Sequence, residues 1–125
     1  MIEKEKIIQN YIEAYNQFDV DKMIADFDEF IVFENIQNGE TNMTLNGIKE
    51  FKAQAEQAKE YFSARKQTIT SFIQDEITAI VEIDYYAVMA MDFPNGLKAG
   101  QELSMKGKSI FQFSDNKIVR LADMN

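Results

Sequence analysis

Residues 77–93 read ITAIVEIDYYAVMAMDF, a run in which apolar and polar side chains alternate with a period of two. Ile77, Ala79, Val81, Ile83, Tyr85, Ala87, Met89, Met91 and Phe93 fall on one face, and Glu82, Asp84 and Tyr86 on the other. Successive side chains of a strand point to opposite sides of the sheet, so this reads as a long strand with one face on a core. The single proline, Pro94, follows it in the turn PNGLKAG. Strand patterning continues on both sides, over 65–74 before it and over 101–113 and 117–124 after it, with SDNK as the last turn. Asn95-Gly96 would suit a two-residue hairpin, yet that register sets Tyr85 opposite Lys106 and Ile83 opposite Lys108, mixing core and surface. A wider loop pairs Met89 with Met105, Ala87 with Gly107, Tyr85 with Ser109 and Ile83 with Phe111, and keeps core opposite core. On the outer face the same pairing sets Tyr86 against Lys108 and Val88 against Lys106, with Asp84 and Glu82 as diagonal neighbours that neutralise the lysines.

Upstream of residue 65 the period is mostly helical. Ile7, Ile8, Tyr11, Ile12 and Tyr15 line one face of a helix over 3–17. Asp19 caps a second helix whose stripe is Val20, Met23, Ile24 and Phe27, ending near Asp28. Asn46 caps a third, which carries Ile48, Phe51, Ala55 and Ala58 to about Phe62. Between the second and third lies IVFENIQNG, residues 31–39, a short strand followed by a polar loop. Glu34 points away from Asn35, so the two do not form a dyad, and it reads as a rim or interface charge.

The chain has 125 residues, which fits one domain able to bury a single core without cross-links. Its 13 basic and 21 acidic side chains give a formal charge of −8, which repels nucleic acid and anionic membranes. There is no cysteine and no histidine, so thiol chemistry, disulfides and the commonest metal ligands are excluded. No apolar run approaches the length of a membrane span or a signal-peptide core, and a cytoplasmic location is expected.

Helices followed by a long antiparallel sheet make an α+β domain. The strings YIEAYNQFDVDKM, FENI, NGIKEF and GKSIFQFSDNKIVRLADM resemble the nuclear transport factor two-like superfamily, especially its SnoaL-like and ketosteroid isomerase-like members. The resemblance covers nearly the whole chain. It implies one SnoaL-like domain over residues 1–125, folded as a cone of three N-terminal helices packed on a strongly curved antiparallel sheet. It further implies an apolar pocket inside the cone and a homodimer formed through the sheet's outer face, where Tyr86, Val88 and Ile110 sit among paired charges.

Such a fold hosts isomerases, cyclases, dehydratases and plain binding modules, so the site residues must decide the activity. The ketosteroid isomerase pattern is matched by Tyr11 for its helix-one tyrosine, but its base falls on Asn35 and its second acid near Ser109. An amide has no usable basic lone pair, so steroid-type isomerisation does not carry over. The SnoaL-like pattern puts a pocket aspartate at Asp123, with Leu121 and Ala122 where relatives often have His and Trp. Asp123 and Tyr11 are therefore the candidate catalytic residues. Tyr15, Phe33, Asn35, Tyr85, Ala87, Met89, Met105, Gly107 and Ser109 are the candidate ligand-binding residues.

Two readings stay open at several of these positions. Tyrosines on a helix stripe are also ordinary core residues, and an asparagine at a strand end also caps a turn. Gly107 opposite Ala87 marks either usable space or a bend in the sheet. The expected function is binding of an apolar or aromatic small molecule, with any chemistry being proton transfer that uses no cofactor and no metal. The alternative is a protein-binding or structural homodimer whose pocket is filled by its own methionines and aromatics.

Overall fold

The structure, a computed structural model, describes residues 4–125. Helix α1 runs over Lys4–Asn16; residue 3, the expected start, lies outside the described residues. Its inner face buries Ile8, Tyr11, Ile12 and Ala14. Asp19 caps α2 by accepting from the Lys22 amide at 3.1 Å, as its position predicts. The helix itself spans only Val20–Met23 rather than continuing to Asp28. Strand β1 claims the rest of that stripe: it covers Phe27–Gln37, with Phe27 beside Ile118 and the Ile118 amide donating to the Asp26 carbonyl. Phe27 stays in the core, but as a strand residue.

The segment read as a polar loop is a hairpin. Strand β2, Glu40–Asn46, pairs with β1 through a two-residue turn at Asn38-Gly39, both with positive φ (52° and 80°). That is the turn geometry for which Asn-Gly is best suited. Helix α3 follows over Gly47–Ala58. Asn46 does not cap it with its side chain; instead Glu50, one turn into the helix, reaches back and accepts from the Asn46 amide at 2.8 Å. A short 3-10 turn, Lys59–Tyr61, leads into β3 (Phe62–Gln74), then β4 (Thr78–Met89), β5 (Glu102–Ser114) and β6 (Lys117–Met124).

The six strands form one sheet in the order β2-β1-β6-β5-β4-β3. Every neighbouring pair is antiparallel except β1 with β6, which is parallel, so the sheet is mixed rather than wholly antiparallel. Register shifts interrupt the ladders at Asn35/Ile36, Ile69/Ser71 and Gln112/Phe113, and such irregularities bend a sheet. Helix α1 contacts β3 and α3 contacts β1 and β2, whereas α2 makes its main contacts with α1 and α3. The architecture is thus α+β, with two helices on the sheet and a third between them.

The β4–β5 register keeps core opposite core but differs from the expected one by two pleats on one strand. Tyr85 faces Met105, Ile83 faces Gly107, Val81 faces Ser109 and Ala87 faces Leu103. The cause is the connection. The ladder closes at Met89, whose amide donates to the Gln101 carbonyl, and β4 ends there instead of at Phe93. Residues beyond it fold on themselves: the Phe93 amide donates to Leu97, and Asp92 accepts from the Ala99 amide. The Phe93 ring packs edge-on against Tyr61, and Met91 is exposed. On the outer face Asp84 then lies directly opposite Lys106 in a 2.8 Å ion pair, and Glu82 directly opposite Lys108.

Candidate functional site

The central strands converge on a cavity of about 310 Å³. Strand β6 brings Asp123 to its wall, and β5 brings Ser109 and Gly107 beside it. Asp123 is two residues from the end of the chain, a place where side chains usually fray into water. Here the end is held: the Asn125 amide donates to the Ile36 carbonyl, and the Asn38 amide donates to Asn125. Asp123 is consequently half-buried, with its accessible edge on the cavity. Ser109 donates to its Oδ1 at 2.7 Å. Burial pushes the Asp123 carboxyl up from 3.8 to about 6, against the smaller opposite pull of the Ser109 hydrogen bond. The result is a carboxyl group whose proton is exchangeable near neutrality, a property suited to general acid-base work.

Gly107 allows the strand end to close. A Cβ there would stand 3.2 Å from the Met124 carbonyl, so the glycine admits the β6 backbone rather than marking a bulge. Tyr15 of α1 and Tyr85 of β4 line the same cavity, and their hydroxyls hydrogen-bond each other at 2.9 Å. Burial raises both tyrosines above their ordinary pKa. Gln67 of β3 also lines the cavity; its backbone is locked to α1 by paired bonds with the Asn16 side chain. Asn35 and Met105 sit on the wall as well. Asn35 is half-buried and donates to Asn42 at 2.8 Å, which makes it a residue of both the cavity and the β1–β2 hairpin.

Four of the expected site residues lie elsewhere. Tyr11 is a core residue, stacked on Phe27 at 5.7 Å and edge-on to Phe111 at 5.8 Å. Burial and then the neighbouring Asp123 raise its pKa, but it is off the cavity lining. Phe33 packs edge-on against Phe51 under α3. Ala87 and Met89 are fully buried farther along β4, beyond the shifted register, so Ala87 and Gly107 do not face one another. Glu34 pairs with Arg120 on the side away from Asn35.

One residue that the sequence reading passed over stands behind the tyrosines. Arg65 of β3 is 6% exposed, with its guanidinium 3.7 Å from the Tyr15 ring centre and 4.3 Å from that of Phe18. Its Nε donates to the Tyr15 carbonyl at 2.9 Å, where α1 ends. That end is a Schellman turn: the Asp19 amide donates to Ala14 and the Phe18 amide to Tyr15, with Phe18 at φ 59° in the place usually taken by glycine. A cation there also suits the negative end of the helix. The signal was present in RKQTI, since Arg65 and Gln67 occupy strand positions that alternate with the outer face and share a side with Ile69.

The SnoaL-like domain pattern matches residues 8–121. The chain belongs to the SnoaL-like family. Solved structures with the same fold include a candidate SnoaL-like polyketide cyclase from Jannaschia sp. CCS1, 11% identical, with a TM-score of 0.81 over 95% of this chain and 82% of that one. A nuclear transport factor two-like protein of unknown function from Burkholderia pseudomallei is 15% identical, with a TM-score of 0.79 over 98% and 90%. A ketosteroid isomerase-fold protein from Catenulispora acidiphila, solved with trimethylamine, is 11% identical, with a TM-score of 0.77 over 94% and 83%. No curated protein matches this SnoaL-like chain. Among its described residues no helix is long and apolar enough to cross a membrane.

Proposed function

We propose that this SnoaL-like protein binds an apolar or aromatic small molecule in the cavity and exchanges a proton with it through Asp123, without a cofactor. The observation that carries the reading is a carboxyl group poised at about 6 on the wall of a cavity that also has apolar lining from Ile83, Leu103 and Met105. Ser109 orients that carboxyl, and the Tyr15–Tyr85 pair and Asn35 offer hydrogen bonds to the ligand's polar end. The polyketide cyclase named among the similar folds is in keeping with a ligand of fused or conjugated rings. The cone shape of the family, and a cavity left open rather than filled from within, belong to the same reading.

The test is a thermal-shift screen of aromatic and polycyclic carbonyl compounds. A ligand at about 100 times its Kd stabilises the native state by about 2.7 kcal/mol, a readily measured rise in Tm. Met105 is 39% exposed at the rim, so Met105→Trp should obstruct the cavity with little change in the Tm of the free protein. Hits that lose their shift in this variant support the site; hits unaffected by it place binding elsewhere and defeat the proposal.

A second copy of the chain is the partner that the outer sheet face fits. Tyr86 is 38% exposed there, with the half-buried Val88 next to it on the same face of β4 and the Lys106–Asp84 pair and its own bond to Glu102 around it; the half-buried Ile110 lies farther along that face, opposite Ile80. An apolar centre with a charged rim is the usual make-up of an interface. Sedimentation at micromolar concentration is expected to give twice the 14.5 kDa chain mass, and a single monomer mass would end this reading.

A further inference from the structure

Strand β3 is one edge of the sheet, with β4 on its paired side. Residues 67–74 of it read QTITSFIQ, without a charge, a proline or a glycine. An uncharged edge rich in β-branched and aromatic residues is a template for another strand, and proteins usually interrupt such an edge. Backbone groups along a strand point alternately toward its neighbour and away from it. Two bonds fix which is which here. The Gln67 amide and carbonyl bond to the Asn16 side chain, so Gln67 and, two residues on, Ile69 point away from β4. The Asp75 amide donates to the Thr78 carbonyl across the turn, so Gln74 and Phe72 point away as well. The register shift between Ile69 and Ser71 reconciles the two counts. Among the described residues, Gln67 is the only point of this run at which a bond from outside the sheet reaches the edge.

The edge is complementary to itself. Laid antiparallel against a second copy with Ile69 opposite Phe72, it puts Thr68 opposite Ile73, Gln67 opposite Gln74 and Lys66 opposite Asp75. Ile69 and Phe72 both point outward, so each can donate to and accept from the other. Their side chains are both partly buried against the core, whereas Thr68 and Ile73 are both exposed on the outer face. Core then meets core and outer face meets outer face, a match that a slip of one residue destroys. Lys66 is the last cation before the uncharged run and Asp75 the first anion after it, so the ends attract as well. The Ile77 and Thr78 amides that bond Asp75 hold its carboxyl below the ordinary carboxylate pKa, which keeps it ionised. We propose that two copies of the chain join edge to edge through β3, antiparallel about a two-fold axis, so that one sheet runs through both. This contact does not use Tyr86, Val88 or Ile110 and is separate from the pairing of outer faces. Asn16 limits its length, because it occupies the Gln67 backbone and leaves the Ile69–Phe72 pairs to carry the bonds.

The chain has no cysteine of its own, so introduced cysteines report the contact. Thr68 opposite Ile73 is a position between bonded pairs, where Cα atoms of an antiparallel ladder stand about 4.5 Å apart, within the range of a disulfide. Along one strand the same two residues are about 16 Å apart and cannot bridge. Oxidised at high protein concentration, the double variant Thr68→Cys with Ile73→Cys is expected to run on a denaturing, non-reducing gel at twice the 14.5 kDa chain mass. Each single variant should stay at the chain mass. Adding Lys66→Glu turns two attractions across the axis into two repulsions and should slow formation of the covalent dimer by about tenfold. No covalent dimer from the folded double variant, or dimer formed as fast by the single variants, overturns the proposal. A ladder of larger multimers also overturns it, by replacing the two-fold pair with open stacking. If the double variant does not fold, hydrogen exchange of the wild type decides: protection of the Ile69 and Phe72 amides should rise with protein concentration. Protection that does not rise overturns the proposal and, where a copurified peptide supplies it, assigns the edge to a foreign strand. A dimer held by outer faces alone fails these tests while leaving that reading intact.

Discussion

Asp123→Asn is expected to stabilise the folded protein at neutral pH and to leave it unchanged at pH 3. The carboxyl titrates near its ordinary 3.8 when the chain is unfolded and at about 6 when it is folded. Below the lower value both states are protonated, and the amide replaces a neutral acid of the same shape. Between the two values the unfolded chain ionises while the folded one resists, so the wild type loses stability as pH rises. Above about 6 both are ionised and the deficit is constant. The gap corresponds to about 3 kcal/mol, of which the uncharged amide would recover the greater part. Melting temperatures of the two proteins, measured from pH 3 to pH 8, should diverge through that window and then run parallel. A difference that stays flat across the range would mean that Asp123 is solvated. The same substitution removes the group proposed to take the ligand's proton, and the loss of a general base lowers rates by about 10²- to 10⁴-fold. Greater stability with abolished turnover is the combined result to look for.

The second large effect concerns Phe111, which is completely buried in β5 with Ala79 on one side and Leu121 on the other. Tyr11 of α1 meets its ring edge-on, so Phe111 joins the helix layer to the middle of the sheet. Phe111→Ala removes most of the side chain from a site bounded by strands that cannot close in. A cost of about 3–5 kcal/mol follows, a large share of the roughly 5–15 kcal/mol that holds such a domain together. Urea denaturation is the measurement. The midpoint should fall while the slope stays the same, and a midpoint within error of wild type would show that Phe111 does not pack as described.

The sheet's core face was legible because burial imposes a period of two, and Ala79, Val81, Ile83 and Tyr85 obey it without exception. Where the sequence misled, the local signal was weaker than a tertiary contact. Phe27 fits a helix stripe and a strand end equally well, and only the pairing with Ile118 decides between them. Strand β2 lies at the sheet edge, where Thr41, Asn42 and Thr44 face water and look like loop residues. Asn38-Gly39 had the composition of a tight hairpin and no long apolar partner to advertise it, whereas Asn95-Gly96 has the same composition inside a wider loop. Asp123, Ser109, Tyr15 and Tyr85 were found by alternation and family resemblance. Their mutual geometry was not, because a two-pleat slip preserves every face while changing every neighbour.

Among the described residues, strand β6 is the only bridge between β2-β1 on one side of the sheet and β5-β4-β3 on the other. It is also the last of the six strands to be made, and its partner β1 is the first. During synthesis, then, the N-terminal hairpin cannot find its place in the sheet until β6 has left the ribosome. Its unpaired edge, including Val32 to Ile36, waits while β3, β4 and β5 are made. Loss of Lys117–Met124 by truncation would not trim an edge but would divide the sheet in two. A pairing of such long sequence separation is slow to form, so the step that completes the cavity should also be the step that limits folding.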